Sequence, residues 1–214
     1  MKFLFNASGA NAPLIKEYDI ASDFSVSFGE VVGMADSLVT KAGDGDFIIG
    51  VSQEEHTGEH DELNSRSDGT KIRINIAPDA VYEVPLPSYT AKSGTATTIV
   101  TDSSGLSTSL TSGYALLLSK GAGSANTDNV GTKRRISSCS VSGSTATITV
   151  AEGGTVSEGD VYLLIPDIGD EMYLDTSKTG AVFYNADSTV KLIAVCADSD
   201  RGTLGVKIKT HFLG

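Results

Sequence analysis

Ser27-Phe28-Gly29-Glu30-Val31-Val32 opens a run of short apolar segments that continues as Leu38-Val39-Thr40-Lys41, Phe47-Ile48-Ile49-Gly50-Val51-Ser52 and Lys71-Ile72-Arg73-Ile74-Asn75-Ile76. The same order of segments returns near the other end: Ile168-Gly169-Asp170-Glu171-Met172-Tyr173-Leu174, Ala181-Val182-Phe183-Tyr184, Val190-Lys191-Leu192-Ile193-Ala194-Val195 and Gly205-Val206-Lys207-Ile208-Lys209. In both, a glycine followed by an acidic residue opens the first segment, and the last one alternates basic and β-branched residues. Runs of this length, rich in Val, Ile and Tyr and bounded by Gly, Asp, Asn and Ser, read as strands. Long helical periodicity is absent. The sequence therefore predicts an all-β, antiparallel protein containing one unit written twice.

Outward from the first copy, the character of the chain changes at Pro85-Leu86-Pro87, and from Ser88 to Ile165 it is dense in Ser, Thr, Gly and Ala. A flexible linker would not keep the alternation of Thr145-Ala146-Thr147-Ile148-Thr149-Val150, which marks strands with one solvated face. Ser142-Gly143-Ser144 between two such runs reads as a hairpin. Ser157-Glu158-Gly159-Asp160-Val161-Tyr162 places the Gly-acidic signal before a strand a third time. The expected organisation is an N-terminal arm over 1–18, an antiparallel β-barrel base formed from 19–87 and 166–214, and an inserted, projecting Ser/Thr/Gly-rich β-domain over 88–165. The two copies would then be halves of one barrel.

A chain of 214 residues that is 40% hydrophobic can bury a core and is not expected to be disordered. Its net charge of -11, from 16 basic and 27 acidic residues, opposes the phosphate backbone of nucleic acid and the anionic surface of membranes. Neither is expected as a partner. Met1-Lys2-Phe3-Leu4-Phe5-Asn6 falls short of a secretory h-region, so the chain is expected to stay in the compartment where it is made. Cys139 and Cys196 each lie in an apolar strand-like run and read as two buried free thiols.

Signatures of catalysis are missing: there is no Gly-x-Ser-x-Gly elbow, phosphate-binding loop, Cys-x-x-Cys or His-Glu-x-x-His. Among the three histidines, His211 reads as a strand-end or tail residue. His56 and His60 would share a face if Glu54–Glu62 were helical, but Gly58 between them argues for a solvated acidic loop rather than a zinc or calcium shell. Asp44-Gly45-Asp46 lacks the continuation of a calcium loop. No cofactor or metal is expected. Lys133-Arg134-Arg135, the single basic run, reads as a solvated strand edge or a protein-docking patch.

Met1–Asn6 through Pro13-Leu14-Ile15-Lys16-Glu17-Tyr18, Phe28-Gly29-Glu30-Val31-Val32, Ile48-Ile49-Gly50-Val51-Ser52 and Lys71–Tyr82 together resemble the head decoration, or capsid cement, proteins of tailed bacteriophages. Asn129-Val130-Gly131-Thr132-Lys133-Arg134-Arg135-Ile136 and Gly159-Asp160-Val161-Tyr162 are similar to β-domains carried on phage structural proteins. The resemblance implies a non-enzymatic protein made in the host cytoplasm and bound to the outer surface of the virion capsid. There it would bridge major capsid protein subunits as a homotrimer. Phe3, Leu4, Phe5, Leu14 and Ile15 would clamp the partner, with Lys133, Arg134 and Arg135 as a second contact. The same apolar stretch also fits the first edge strand of the chain's own barrel. The competing function is a glycan- or surface-binding β-module of an adhesin or phage appendage, and a small β-fold hydrolase or nucleotide-binding enzyme is the third.

Overall fold

A computed structural model describes residues 1–7, 13–20, 24–42, 47–57, 71–175, 180–182 and 190–209. The protein is all-β, with no helix among these residues. The N-terminal part forms β1 (Lys2–Asn6), β2 (Ile15–Asp19), β3 (Ser25–Val26), β4 (Val31–Ala35), β5 (Leu38–Lys41), β6 (Phe47–Ser52), β7 (His56–Thr57), β8 (Lys71–Asn75) and β9 (Ala80–Pro85). The middle forms β10 (Ser88–Thr90), β11 (Ser93–Gly94), β12 (Thr98–Asp102), β13 (Tyr114–Ser119), β14 (Lys133–Ser142), β15 (Thr145–Val150) and β16 (Val161–Ile165). The C-terminal part forms β17 (Glu171–Asp175), β18 (Gly180–Val182), β19 (Lys191–Asp198) and β20 (Thr203–Ile208).

The two copies of the repeated unit have the same topology. One sheet runs β2-β8-β6-β4-β5, and the other runs β9-β20-β19-β17-β18 with β1 added outside β9. Register agrees as well as order. Asn75 faces Ile15 on one side and Val51 on the other, and Lys207 correspondingly faces Val81 and Ile193. Val31 opposite Val51 matches Glu171 opposite Ile193, and Met34 opposite Val39 matches Leu174 opposite Ala181. Each sheet curls, so that β5 lies against β2 and β18 against β9, with an isolated parallel bridge from Ile20 to Val39. No closed barrel is found among the described residues. Among the described residues each copy forms its own curled sheet; N- and C-terminal segments pair in the six-stranded sheet and also share a core, where Val31, Ile48 and Val51 join Leu192, Val206 and Ile208.

The inserted sheet runs β10-β16-β13-β14-β15-β12-β11 and draws every strand from between Ser88 and Ile165. Its position in the repeat is more specific than between two copies. Because β9 is the first strand of the second unit and β17 the second, the insertion interrupts that unit at the connection that in the first unit holds β3.

The Gly-acidic signal has one local structure at all three places. In Ser27–Glu30, Ser157–Asp160 and Asp167–Asp170, the fourth N–H donates to the first carbonyl at 3.1, 3.2 and 3.1 Å. The third residue is a glycine at φ 76, 83 and 93°. The fourth carboxylate turns back to accept from the first N–H at 2.8, 3.1 and 2.9 Å. Positive φ at the third position of a β-turn is the reason for glycine there, and the carboxylate satisfies the N–H that the turn leaves exposed. Each turn also locks onto a neighbouring segment: the glycine N–H donates to, and the acidic carbonyl accepts from, Ser52, Ala91 and Ala194 respectively. A strand starts immediately after each turn, at Val31, Val161 and Glu171.

Consecutive apolar residues in β4 and β6 follow from burial on both faces. Val32 and Ile49 belong to a small core with Ile20, Val26, Val39, Ile72, Ile74 and Ile76. Val31, Ile48 and Val51 face the larger core, which runs through the six-stranded sheet into the insertion at Leu86, Tyr89, Ile99, Leu117, Tyr162 and Leu164. Each such fully buried aliphatic contributes about 1.5–3 kcal/mol relative to exposure.

Candidate functional site

The apolar stretch near the N-terminus does not form a single arm. β1 pairs antiparallel with β9, Lys2 opposite Glu83, Phe3 opposite Tyr82 and Phe5 opposite Val81. Phe3 packs edge-on to the Tyr82 ring, at 6.2 Å between centroids and 74° between planes. The terminal ammonium of Met1 donates to the Gly29 carbonyl, and burial lowers its pKa, partly opposed by Glu30. Residues 2–6 are thus an edge strand of the chain's own sheet. Leu4 is half-buried to exposed at 37%, and the Phe5 side chain lies outside the description. Leu14 and Ile15, at 51% and 42% exposed, lie instead on the separate edge strand β2 and the residue before it.

Other exposed large apolar side chains on these two units, among the described residues, are Phe28, Leu38, Phe47 and Ile168, with Leu38 beginning β5. Phe28 and Ile168 are the second residues of the two equivalent Gly-acidic turns, and Phe47 begins β6. Since the turn backbone holds that second position away from its sheet, matching turns present matching apolar side chains.

Lys133-Arg134-Arg135 pairs with β13, Tyr114 opposite Arg135 and Leu116 opposite Lys133, while β15 pairs with β14 only from Ile136 onward; period-2 alternation sends Arg134 inward while its neighbours point out. Arg134 is 3% exposed. Its Nε donates to Asp128 Oδ2 at 2.6 Å, Nη1 to the Ala96 carbonyl at 3.1 Å, and Nη2 to the Gly154 carbonyl. The Gly154 N–H completes the circuit to Asp128 Oδ1 at 2.9 Å. A Cβ on Gly153 would stand 2.5 Å from Arg134 Nε, so only glycine fits beside the guanidinium. Burial by itself raises the Asp128 pKa, but the Gly154 N–H and Arg134 outweigh it and hold the carboxyl below its ordinary value.

A second closed network adjoins the first. Asn126 Nδ2 donates to Asp160 Oδ2 at 2.8 Å and to the Tyr162 hydroxyl at 2.9 Å, while Gly121 N–H donates to Asp160 Oδ1 at 3.0 Å. Burial opposes ionisation of Asp160, yet these donors and Ser157 N–H leave its pKa lowered. The hydrogen bonds shown for these buried charges stay within the insertion and tie its loops to the sheet.

Arg135 does carry a connection. Its guanidinium pairs with Asp167 at 2.6 Å and lies over the Tyr114 ring, 4.9 Å from the centroid. Asp167 also accepts from Gly113 N–H at 3.3 Å, and Ser112 Oγ donates to Asp170 Oδ2 at 2.7 Å. The hydrogen bond from Arg135 depresses the Asp167 pKa and raises that of Arg135. These contacts fasten the insertion to the turn that opens β17. Of the basic run, Lys133 is exposed, Arg135 is engaged at this junction and Arg134 is buried.

Cys139 is buried and burial raises its pKa; Cys196 is exposed, contrary to the expectation of two buried thiols, and both are free. A register shift between Ala194 and Cys196 breaks the alternation of β19 and turns the sulfur outward. His56 Nδ1 is 2.6 Å from the Phe24 carbonyl. His60, His211, Asp44-Gly45-Asp46 and Phe183-Tyr184 lie outside the described residues. The duplicated turn chemistry was visible in the sequence; the Asp128–Arg134–Gly154 circuit was missed, because its partners Ala96 and Gly154 are distant in the chain. Comparisons with protein-family models, curated proteins and solved structures return no match to this chain.

Proposed function

We propose that the protein is a non-enzymatic head decoration protein of a tailed bacteriophage, binding the outer surface of the assembled capsid and bridging major capsid protein subunits as a homotrimer. The observation that carries this reading is how the side chains divide between the parts. The duplicated units expose Leu14, Ile15, Phe28, Phe47 and Ile168; the insertion exposes Val130 too, but ties its buried charges to one another. Such a division suits a base that docks and a rigid module that projects. Lys133 on the insertion, and Arg135 where the insertion meets the base, would contribute to contacts between copies.

The mechanism is mass action. A protein that binds the assembled shell but not its separated subunits favours the shell by RT ln(1 + [L]/Kd) at each site, about 2.7 kcal/mol when its free concentration is a hundredfold above Kd. Repetition over a symmetric lattice multiplies a modest affinity. Co-sedimentation with undecorated tailed-phage shells, together with a rise in shell melting temperature, is the expected result. No binding to any shell, with retention on a glycan array, would move the function to surface attachment.

A further inference from the structure

Asn75 holds the register position that Lys207 holds in the second unit, where the side chain is partly exposed. In the first unit the position is 1% exposed. Alternation along β8 sends Ile72 and Ile74 into the small core and Asn75 to the opposite face, where Tyr82 and Ile208 of the second unit lie beside it. Its amide is half satisfied. Oδ1 accepts from the Ala77 N–H at 3.1 Å, which fixes which way the amide points, whereas Nδ2 is buried with no hydrogen-bond partner among the described residues. Buried polar groups pair with protein or with ordered water, so this donor calls for an acceptor.

Asn75 lines a cavity between the two units, with Ile49 and Gly50 on one side and Ala80, Tyr82 and Ile208 on the other. The cavity measures about 10 Å³, the room of one water molecule. None of the described residues lining it is charged, so an ion there would lack a counter-charge. We propose that this cavity is a binding site for a single internal water, held by Asn75 Nδ2 and shared by the duplicated units. Nδ2 donates to the water oxygen. Tyr82, whose hydroxyl donates to the Asn75 carbonyl over 3.4 Å, keeps lone pairs to accept a proton of the water. The water thus joins β8 of the first unit to β9 of the second, and adds direction to a contact that is otherwise apolar. The site goes beyond capsid decoration and does not depend on it.

The test is 17O magnetic relaxation dispersion of the solvent water, which counts internal waters that stay bound longer than the protein takes to tumble. The full chain is compared with Asn75→Leu, which keeps the shape of the side chain and removes the donor. The dispersion amplitude should fall by one long-lived water, and equal amplitudes would overturn the site. If Asn75→Leu does not fold, a high-resolution crystal structure of the unmodified chain decides. A solvent peak about 2.7–3.2 Å from Asn75 Nδ2 is expected. A dry cavity, an ion in it, or Nδ2 bonded to a protein acceptor would overturn the proposal.

Discussion

Replacing Arg134 by methionine keeps most of the side-chain volume and removes the charge from a site that is 3% exposed. Asp128, 14% exposed at its side chain, would keep the Gly154 N–H but lose its counter-ion, and the carbonyls of Ala96 and Gly154 would lose their donors. Breaking a buried pair from one side costs about 3–5 kcal/mol. With a urea m-value of about 2 kcal/mol/M, the midpoint should fall by about 1.5–2.5 M. Arg135→Met is the internal control, because its partner pair is 47% and 33% exposed and such pairs contribute at most about 1 kcal/mol, or about 0.5 M. Equilibrium urea unfolding followed by circular dichroism measures both. The double variant Arg134→Met/Asp128→Leu should recover part of the loss, since no buried charge is then left alone. Equal midpoint shifts for the two single variants, or a double variant worse than the sum of the singles, would refute the assignment of Arg134 as an internal tie.

The turn glycines make a second comparison: Gly169→Ala meets nothing within 4 Å and should lose only the left-handed backbone preference, about 1–2 kcal/mol, whereas a Cβ on Gly29 also collides with the Met1 carbonyl. Thermal unfolding should therefore rank Gly29→Ala lower, with faster amide exchange in β1, and identical behaviour would contradict the packing of Met1 on that turn. Asp128 and Asp160 have lowered pKa values, so their contribution is fully present above the unfolded carboxyl value near 4 and is lost as pH falls through the folded values. The stability difference between the unmodified chain and Asp160→Asn should thus shrink on acidification below about pH 4, and a difference that grows would contradict the sign. In thiol titration with an aromatic disulfide, Cys196 should react at once and Cys139 only on unfolding; two fast or two slow thiols would contradict their placement.

Much of the strand content was legible because the signals are local. Gly29-Glu30, Gly159-Asp160 and Gly169-Asp170 each encode a turn within four residues, and Ser142-Gly143 closes the hairpin between β14 and β15. What escaped depends on distant partners. Ala80-Val81-Tyr82-Glu83-Val84-Pro85 adjoins the first unit in sequence but pairs with β20, so the point at which the insertion enters the second unit could not be read locally. Nothing near Arg134 announces that Gly154 and Ala96 will enclose it, and the bulge that exposes Cys196 shifts an alternation whose composition is uniformly apolar. In the candidate site, the apolar character of Phe3, Leu4, Phe5, Leu14 and Ile15 was plain. Their division between β1, paired with β9, and the segment of β2, paired with β8, was set by long-range pairing.

Capsid decoration is tested most directly by cryo-electron microscopy of undecorated tailed-phage shells mixed with the full chain. The expected result is density for three copies at three-fold or quasi-three-fold positions on the outer surface, with the duplicated sheets against the shell and the Ser88–Ile165 sheet outward. Bare shells at saturating protein, across several shell types, would contradict it.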